Sequence, residues 1–305
     1  MNKYDLKVLN DLTLDEIKYC DELFRPTNFW VSGVKRLLDE IERNDINDFK
    51  RWPLSASWFY PLYGQKINNK IIDKIFKLCQ SYLKNKITYE FISSRLSGGI
   101  DARRDFDVIR IAWDQNRWPF DIENYGESKI GTPPQRFRLT GEDSVFYGKA
   151  YLNYLLCLSG LSRHLTEPPR KFLEIGGGFG VLGEILMSRD PNCVYVDVDI
   201  PPLISIASYY LTNIFGSDKI SVYTENHYRQ LSKFHCNKSS VLPTWRLDDI
   251  SSDFDVFINT FSFQEMEFNV VKHYIELISQ KNVKYIVSLN SVKGKKQDRK
   301  STRLN

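Results

Sequence analysis

The sequence lacks any apolar stretch near the about 18 residues that a membrane-spanning helix needs, and Met1-Asn-Lys-Tyr-Asp5 has no signal-peptide core. The expectation is a cytoplasmic chain with no membrane insertion. Cysteine is scarce and irregular. Cys20, Cys79, Cys157, Cys193 and Cys236 are odd in number and share no paired spacing, which excludes a disulfide scaffold and a zinc ribbon. A strong charge of one sign is also missing: +4 over 305 residues gives no reason to invoke nucleic acid. Histidine is rare, and His227 with His235-Cys236 lacks zinc-ligand spacing. Asp248-Asp249 and Asp253 read as solvated loop acids ahead of a strand, so no metal is expected.

What is present is a core. Hydrophobic residues make up 42% of the chain, enough for one α/β domain with an appended segment. Residues 1–143 read as a helical and irregular segment that lids the site. In it Leu14–Leu23, Ser32–Arg43 and Asn69–Asn85 carry apolar residues at helical spacing, with Thr13, Ser32 and Asn69 as caps. Trp30, Trp52, Trp58, Trp113 and Trp118 all fall within it. Such side chains serve either as aromatic platforms for sugars and bases or, the favoured reading, as core. Residues 121–143, with Gly126, Gly131-Thr-Pro-Pro134 and Gly141, read as a loop.

From residue 144 the pattern changes. Ser144–Leu165 reads as one long helix, stopped by Glu167-Pro-Pro-Arg170. Strands then alternate with helices: Phe172–Ile175, helix Val181–Ser188, Val194–Val198, helix Leu203–Phe215. A third strand follows at Ile220–Tyr223 or Val241–Trp245, then Phe254–Asn259, helix Val270–Ser279 and Tyr285–Leu289. This alternation predicts a doubly wound, mostly parallel sheet, with ligands held at the carboxyl ends of its strands.

The glycine turn between the first strand and its helix admits two cofactors. Gly178-Phe-Gly180-Val-Leu-Gly183, with Asp199 about 20 residues on, satisfies a dinucleotide pattern and an NAD-dependent nucleotide-sugar oxidoreductase or epimerase. Read from Glu174, the same turn is Glu174-x-Gly176-x-Gly178-x-Gly180, an acid and then alternate glycines, as in S-adenosylmethionine (SAM) methyltransferases. The acid favours SAM. A pyrophosphate on a helix N-terminus gains nothing from a neighbouring carboxylate, whereas SAM carries a cationic amino group and no phosphate. No Tyr-x-x-x-Lys pair follows the turn, and Asn259-Thr-Phe-Ser262 departs from the Asn/Asp-Pro-Pro-aromatic motif of nucleic-acid amine methyltransferases. A non-catalytic SAM-binding protein stays open as a further reading.

Three segments, Leu173-Glu-Ile-Gly-Gly-Gly-Phe-Gly180, Val196-Asp-Val-Asp-Ile-Pro201 and Asn259-Thr-Phe-Ser-Phe-Gln-Glu-Met266, resemble the sugar O-methyltransferase family of polysaccharide and glycosylated natural-product gene clusters. Ile130-Gly-Thr-Pro-Pro134 and Asn28-Phe-Trp30 extend the likeness more weakly. The resemblance implies a Rossmann-like class I methyltransferase fold over residues 144–297, SAM as methyl donor and a sugar hydroxyl as acceptor. Cofactor contacts are expected from Glu174, Gly176, Gly178, Gly180, Asp199 and Asn259, with Asp199 on the ribose hydroxyls. Glu265 is the expected general base with Gln264 orienting a hydroxyl, unless the pair caps the following helix; His227 is the rival base. Asp298–Asn305 reads as a translated sequencing adapter. A longer native chain is expected, with two more strands missing here.

Overall fold

A computed structural model describes residues 1–64, 98–224 and 226–292. The expected helix Asn69–Asn85 and the tail 298–305 lie outside these residues. The centre is one parallel sheet built from β1 (Lys171–Ile175), β2 (Val194–Asp199), β3 (Ile220–Val222), β4 (Ser239–Pro243), β5 (Val256–Thr260) and β6 (Tyr285–Leu289), in the order β3-β4-β2-β1-β5-β6. Both candidates for the third strand are therefore strands, paired with each other in register Ile220 to Ser239. The chain has a doubly wound, Rossmann-like α/β fold with a helical N-terminal segment.

Strand alternation decides which residues go to which face. Phe172, Tyr195, Val241 and Val256 join the core formed with α5 (Lys149–Ser162), α6 (Val181–Arg189) and α7 (Leu203–Phe215). Their neighbours Leu173, Val196, Leu242 and Phe257 face the opposite core with α9 (Phe268–Ser279). The first core also takes in Leu6, Trp30, Phe49 and Trp52, so the N-terminal segment and the sheet share apolar burial.

Several sequence expectations shift here. The first helix, α1, spans Lys3–Glu16 in place of Leu14–Leu23. Its Thr13 is buried in the interior and its hydroxyl donates to the Leu9 carbonyl at 2.8 Å instead of capping. The face that matters is Leu6, Leu9, Asn10 and Thr13, at helical intervals, with Asn10 accepting from Ser205 of α7 at 3.1 Å. The second helix, α2, begins at Asn28 rather than Ser32, with Thr27 at its N-cap position. The short α3 (Pro53–Trp58) and α4 (Gly99–Ala112) were not expected. The long helix starts at Lys149, because Tyr147 is drawn into an antiparallel bridge with Phe137 and the Phe146 carbonyl accepts from Glu127 N–H. Its amide partners are taken before a helix can form.

One polar network locks the N-terminal segment to the helices. Lys50 is fully buried and donates to Glu127 and to the Tyr210 hydroxyl, both at 2.7 Å. Tyr60 donates to the other Glu127 oxygen at 2.6 Å, and Tyr210 donates in turn to Glu184 of α6. Removing the one cation strands two buried carboxyls. Lys50→Met is therefore expected to cost about 3–5 kcal/mol of stability, read from urea unfolding. A loss under about 1 kcal/mol would show that the network carries little stability.

Candidate active site

From β1 the chain lays β2 beside it, β3 at the far edge and β4 between them, then crosses back to place β5 and β6 on the other side of β1. Where the order reverses, the loops leaving β1 and β5 part and open a crevice. A cavity of about 330 Å³ opens there, lined by the glycine turn after β1, the end of β2 and the loop after β5. That is the size class of small-molecule sites. Thr27, Trp30, Trp58 and Phe59 of the N-terminal segment line it as well.

The turn is dictated by what lies against it. Gly176 has φ +77, and a side chain there would put Cβ 2.1 Å from the Ser262 hydroxyl on the neighbouring loop. At Gly177 a Cβ would meet the Asp197 carboxylate at 2.5 Å. The backbone then hands its N–H groups to acids of β2. Gly177 donates to Asp197 Oδ1 at 3.2 Å, and Gly178 to Asp199 Oδ2 at 2.9 Å. Asp199 Oδ1 accepts from Ile200 N–H at 2.7 Å, which holds the carboxyl at the cavity wall, 5% exposed.

Tyr195, Asp197 and Asp199 share a face of β2, and Glu174 lies beside Asp197 in strand register. Glu174 is fully buried, accepting from the hydroxyls of Tyr195 at 2.6 Å and Tyr154 at 3.0 Å. Burial pushes the Glu174 and Asp199 carboxyls up to about 7, and Asp197 well above the usual carboxylate range. The neighbours that raise them are one another and, for Asp199, Glu265; no lysine or arginine among the described residues forms an ion pair with any of the three.

This cluster sets a sign for stability against pH. The folded chain keeps these acids protonated up to about pH 7, while in the unfolded chain they ionise near pH 4. Folding therefore takes up protons between those limits. The contribution is fully present below about pH 4 and is lost as pH rises through 7. Ligand-free protein should lose stability between pH 5 and pH 8, by up to about 1.4 kcal/mol per pH unit for each group. Asp45, Asp121 and Asp255, held below the ordinary carboxylate value, act in the opposite sense but only at lower pH. Urea midpoints that stay level or rise from pH 5 to 8 would contradict the assignment.

Among the expected site residues, Gly176, Gly178, Asp199, Gln264 and Glu265 all line the cavity. Gly180 sits behind the turn as the N-cap of α6, at φ +80. Glu174 lies beneath the turn, separated from the cavity by Tyr154, which does line it. Asn259 is buried and braces the loop: it donates to the Ile175 carbonyl at 2.8 Å and accepts from Phe263 N–H at 3.0 Å. His227 falls in α8 (Asn226–Gln230), and its side chain lies outside the described residues. Gln264 and Glu265 do not cap the next helix, since α9 begins at Phe268 with Glu267 at the N-cap position. They occupy a short 3-10 turn, Phe263–Glu265, entered through Phe261 at φ +62. A non-glycine residue in that region is the kind of strain found at functional sites.

The N-terminal segment docks on this turn. Trp30 Nε1 donates to Glu265 Oε2 at 3.0 Å, the Thr27 hydroxyl to the Glu265 carbonyl at 3.0 Å, and Asn28 to Glu267. Trp30 stacks on Phe59 at 5.5 Å, and Phe59 on Phe179 at 4.5 Å, which continues an aromatic wall to the glycine turn. Trp52, Trp113 and Trp118 are core, as favoured; Trp30 and Trp58 line the cavity. Tyr154 and Asp197 were missed. Asp197 carried a signal, because Val-Asp-Val-Asp puts both acids on one strand face.

No family model and no curated protein matches the chain. Among solved structures, the pyocyanin biosynthetic protein PhzM aligns at 16% identity over 40% of this chain and 33% of its own length, with a TM-score of 0.25. Mitomycin 7-O-methyltransferase MmcR aligns at 16% identity over 65% of this chain and 53% of its own, with a TM-score of 0.32. The CurJ carbon methyltransferase aligns at 15% identity over 90% and 74%, with a TM-score of 0.27. The chain thus spans about a third of PhzM and about half of MmcR in these alignments. The chemistry of the site is read from its own geometry.

Proposed function

We propose that the protein is a SAM-dependent O-methyltransferase acting on a sugar hydroxyl. The carrying observation is the glycine turn itself. A pyrophosphate needs free backbone N–H groups and positive potential, but Gly177 and Gly178 already donate to Asp197 and Asp199 above a third buried acid, Glu174. A phosphate loses those two donors and would hold the acids protonated, whereas a cationic group is favoured because it can pair with them once ionised. That argues against NAD and for SAM, whose ribose suits Asp199, whose methionine end suits the Gly176–Gly178 backbone and Tyr154, and which supplies a methyl group on a sulfonium.

The protein's part is placement, with reacting atoms held about 3–3.5 Å apart. Bound SAM would supply an electrophilic methyl group for in-line transfer to the acceptor oxygen, and the Glu265 carboxylate is the group that would take the hydroxyl proton. Gln264 is placed to orient the acceptor. A sugar acceptor rests on the motif resemblance and on the aromatic faces of Trp30, Trp58 and Phe59, which suit the apolar face of a pyranose ring. Calorimetric titration tests the cofactor: micromolar SAM binding with no heat from NAD is expected. NAD binding without SAM binding would replace this reading with an oxidoreductase.

A further inference from the structure

The three acids under the turn lack the cationic partner that the Lys50 network has. The second network sets Lys50 among Glu127 and Glu184. Among the described residues the hydrogen bonds to Glu174, Asp197 and Asp199 come from hydroxyls and backbone N–H groups, and Asp197 Oδ2 is buried with no hydrogen-bond partner. The groups facing them are Tyr154 and Cys157 from α5, Tyr195 from β2, Tyr274 from α9 and Glu265 from the loop after β5. None is a cation. An acid cluster in low dielectric with no internal counter-charge stays partly protonated until a positive charge arrives.

We infer that Glu174, Asp197 and Asp199 form an electrostatic socket completed by the positive charge of the cofactor, so that the site distinguishes the methyl donor, with its net positive charge, from the demethylated product, a zwitterion of no net charge that lacks the sulfonium. The inference rests on the SAM reading and goes beyond it. Asp197 is a positioning residue: it touches the turn through Gly177 N–H and acts on the cofactor through that turn and through its charge. The donor carries a sulfonium and S-adenosylhomocysteine does not, while their other groups are the same. Docking the sulfonium draws the shared protons off the cluster. After methyl transfer that charge is gone, the cluster takes protons up again, and the product is held less tightly. Burial of all three carboxyls supports the same direction.

The test is calorimetry of SAM and S-adenosylhomocysteine at pH 6 and pH 8, each in two buffers of different ionisation heat, on the wild-type chain, Asp197→Asn and Glu174→Gln. Wild-type protein should release about one proton on binding SAM near pH 7 and less on binding the product, with the affinity ratio rising about tenfold or more from pH 6 to pH 8. Either variant should flatten that rise, with SAM binding weakened more than binding of the product. A ratio that is the same at both pH values in the wild type overturns the inference, whatever the variants do. A folded Asp197→Asn and Glu174→Gln that both retain the full rise overturn it too. If neither ligand binds at either pH, the SAM reading itself fails, a different result from binding without proton release.

Discussion

Asp199→Ala is expected to weaken SAM binding by about 100-fold or more. The carboxyl is the one acidic side chain at the strand ends that both lines the cavity and is locked in orientation, by Gly178 N–H at 2.9 Å and Ile200 N–H at 2.7 Å. Those bonds take one lone pair on each oxygen and leave the other for a ligand hydroxyl. Two hydrogen bonds to a charged group are worth together about 3–6 kcal/mol, or about 10²–10⁴ in Kd. The alanine variant also strips the acceptor from Gly178, so part of the loss is a looser turn. Asp199→Asn separates the two effects. It keeps an oxygen for one backbone donor but turns an amide toward the other, and an intermediate loss is expected. Wild-type affinity in a folded Asp199→Ala would remove this residue from the cofactor site and leave Asp197 and Glu174 to explain the charge preference.

How this site could be read beforehand follows from the range of the forces that build it. The turn was legible because its parts are local: an apolar strand, a run that only glycine can make against Ser262 and Asp197, and an acid about 20 residues on. The parallel sheet followed from the alternation of strands with helices, except that β3 and β4 were offered as alternatives for one strand when both belonged. The direction of Glu174 was not local. It is set by Tyr154, which arrives on a helix 20 residues earlier and covers the acid before any ligand can reach it. Least legible was the roof. Trp30 meets Glu265 across 235 residues of sequence, and no periodicity in either segment announces the contact. The misplaced first helix has the same cause. Leu6 and Leu9 look unremarkable in a polar N-terminus until the fold buries Leu6 in the core with α7 and Leu9 in the opposite core.

That distant contact bears on the reaction itself. Glu265→Gln is expected to lower kcat by at least about 100-fold, the low end for loss of a positioned general base, with SAM affinity changed less than about threefold. Glutamine keeps the length of the side chain and can still accept from Trp30 Nε1. What it loses is the ability to take a proton from the acceptor hydroxyl. Gln264, by contrast, spends its side-chain oxygen on Ser291 N–H at 2.8 Å and its backbone N–H on Asn290 at 3.1 Å. Gln264→Ala should therefore raise the acceptor KM more than it lowers kcat. The same logic ranks His227. If it were the base, His227→Ala would match the loss seen in Glu265→Gln and the kcat profile would break near the histidine range. A Glu265→Gln enzyme with kcat within threefold of wild type would sink the assignment to Glu265, and a matching loss in His227→Ala would move the base to the helix after β3.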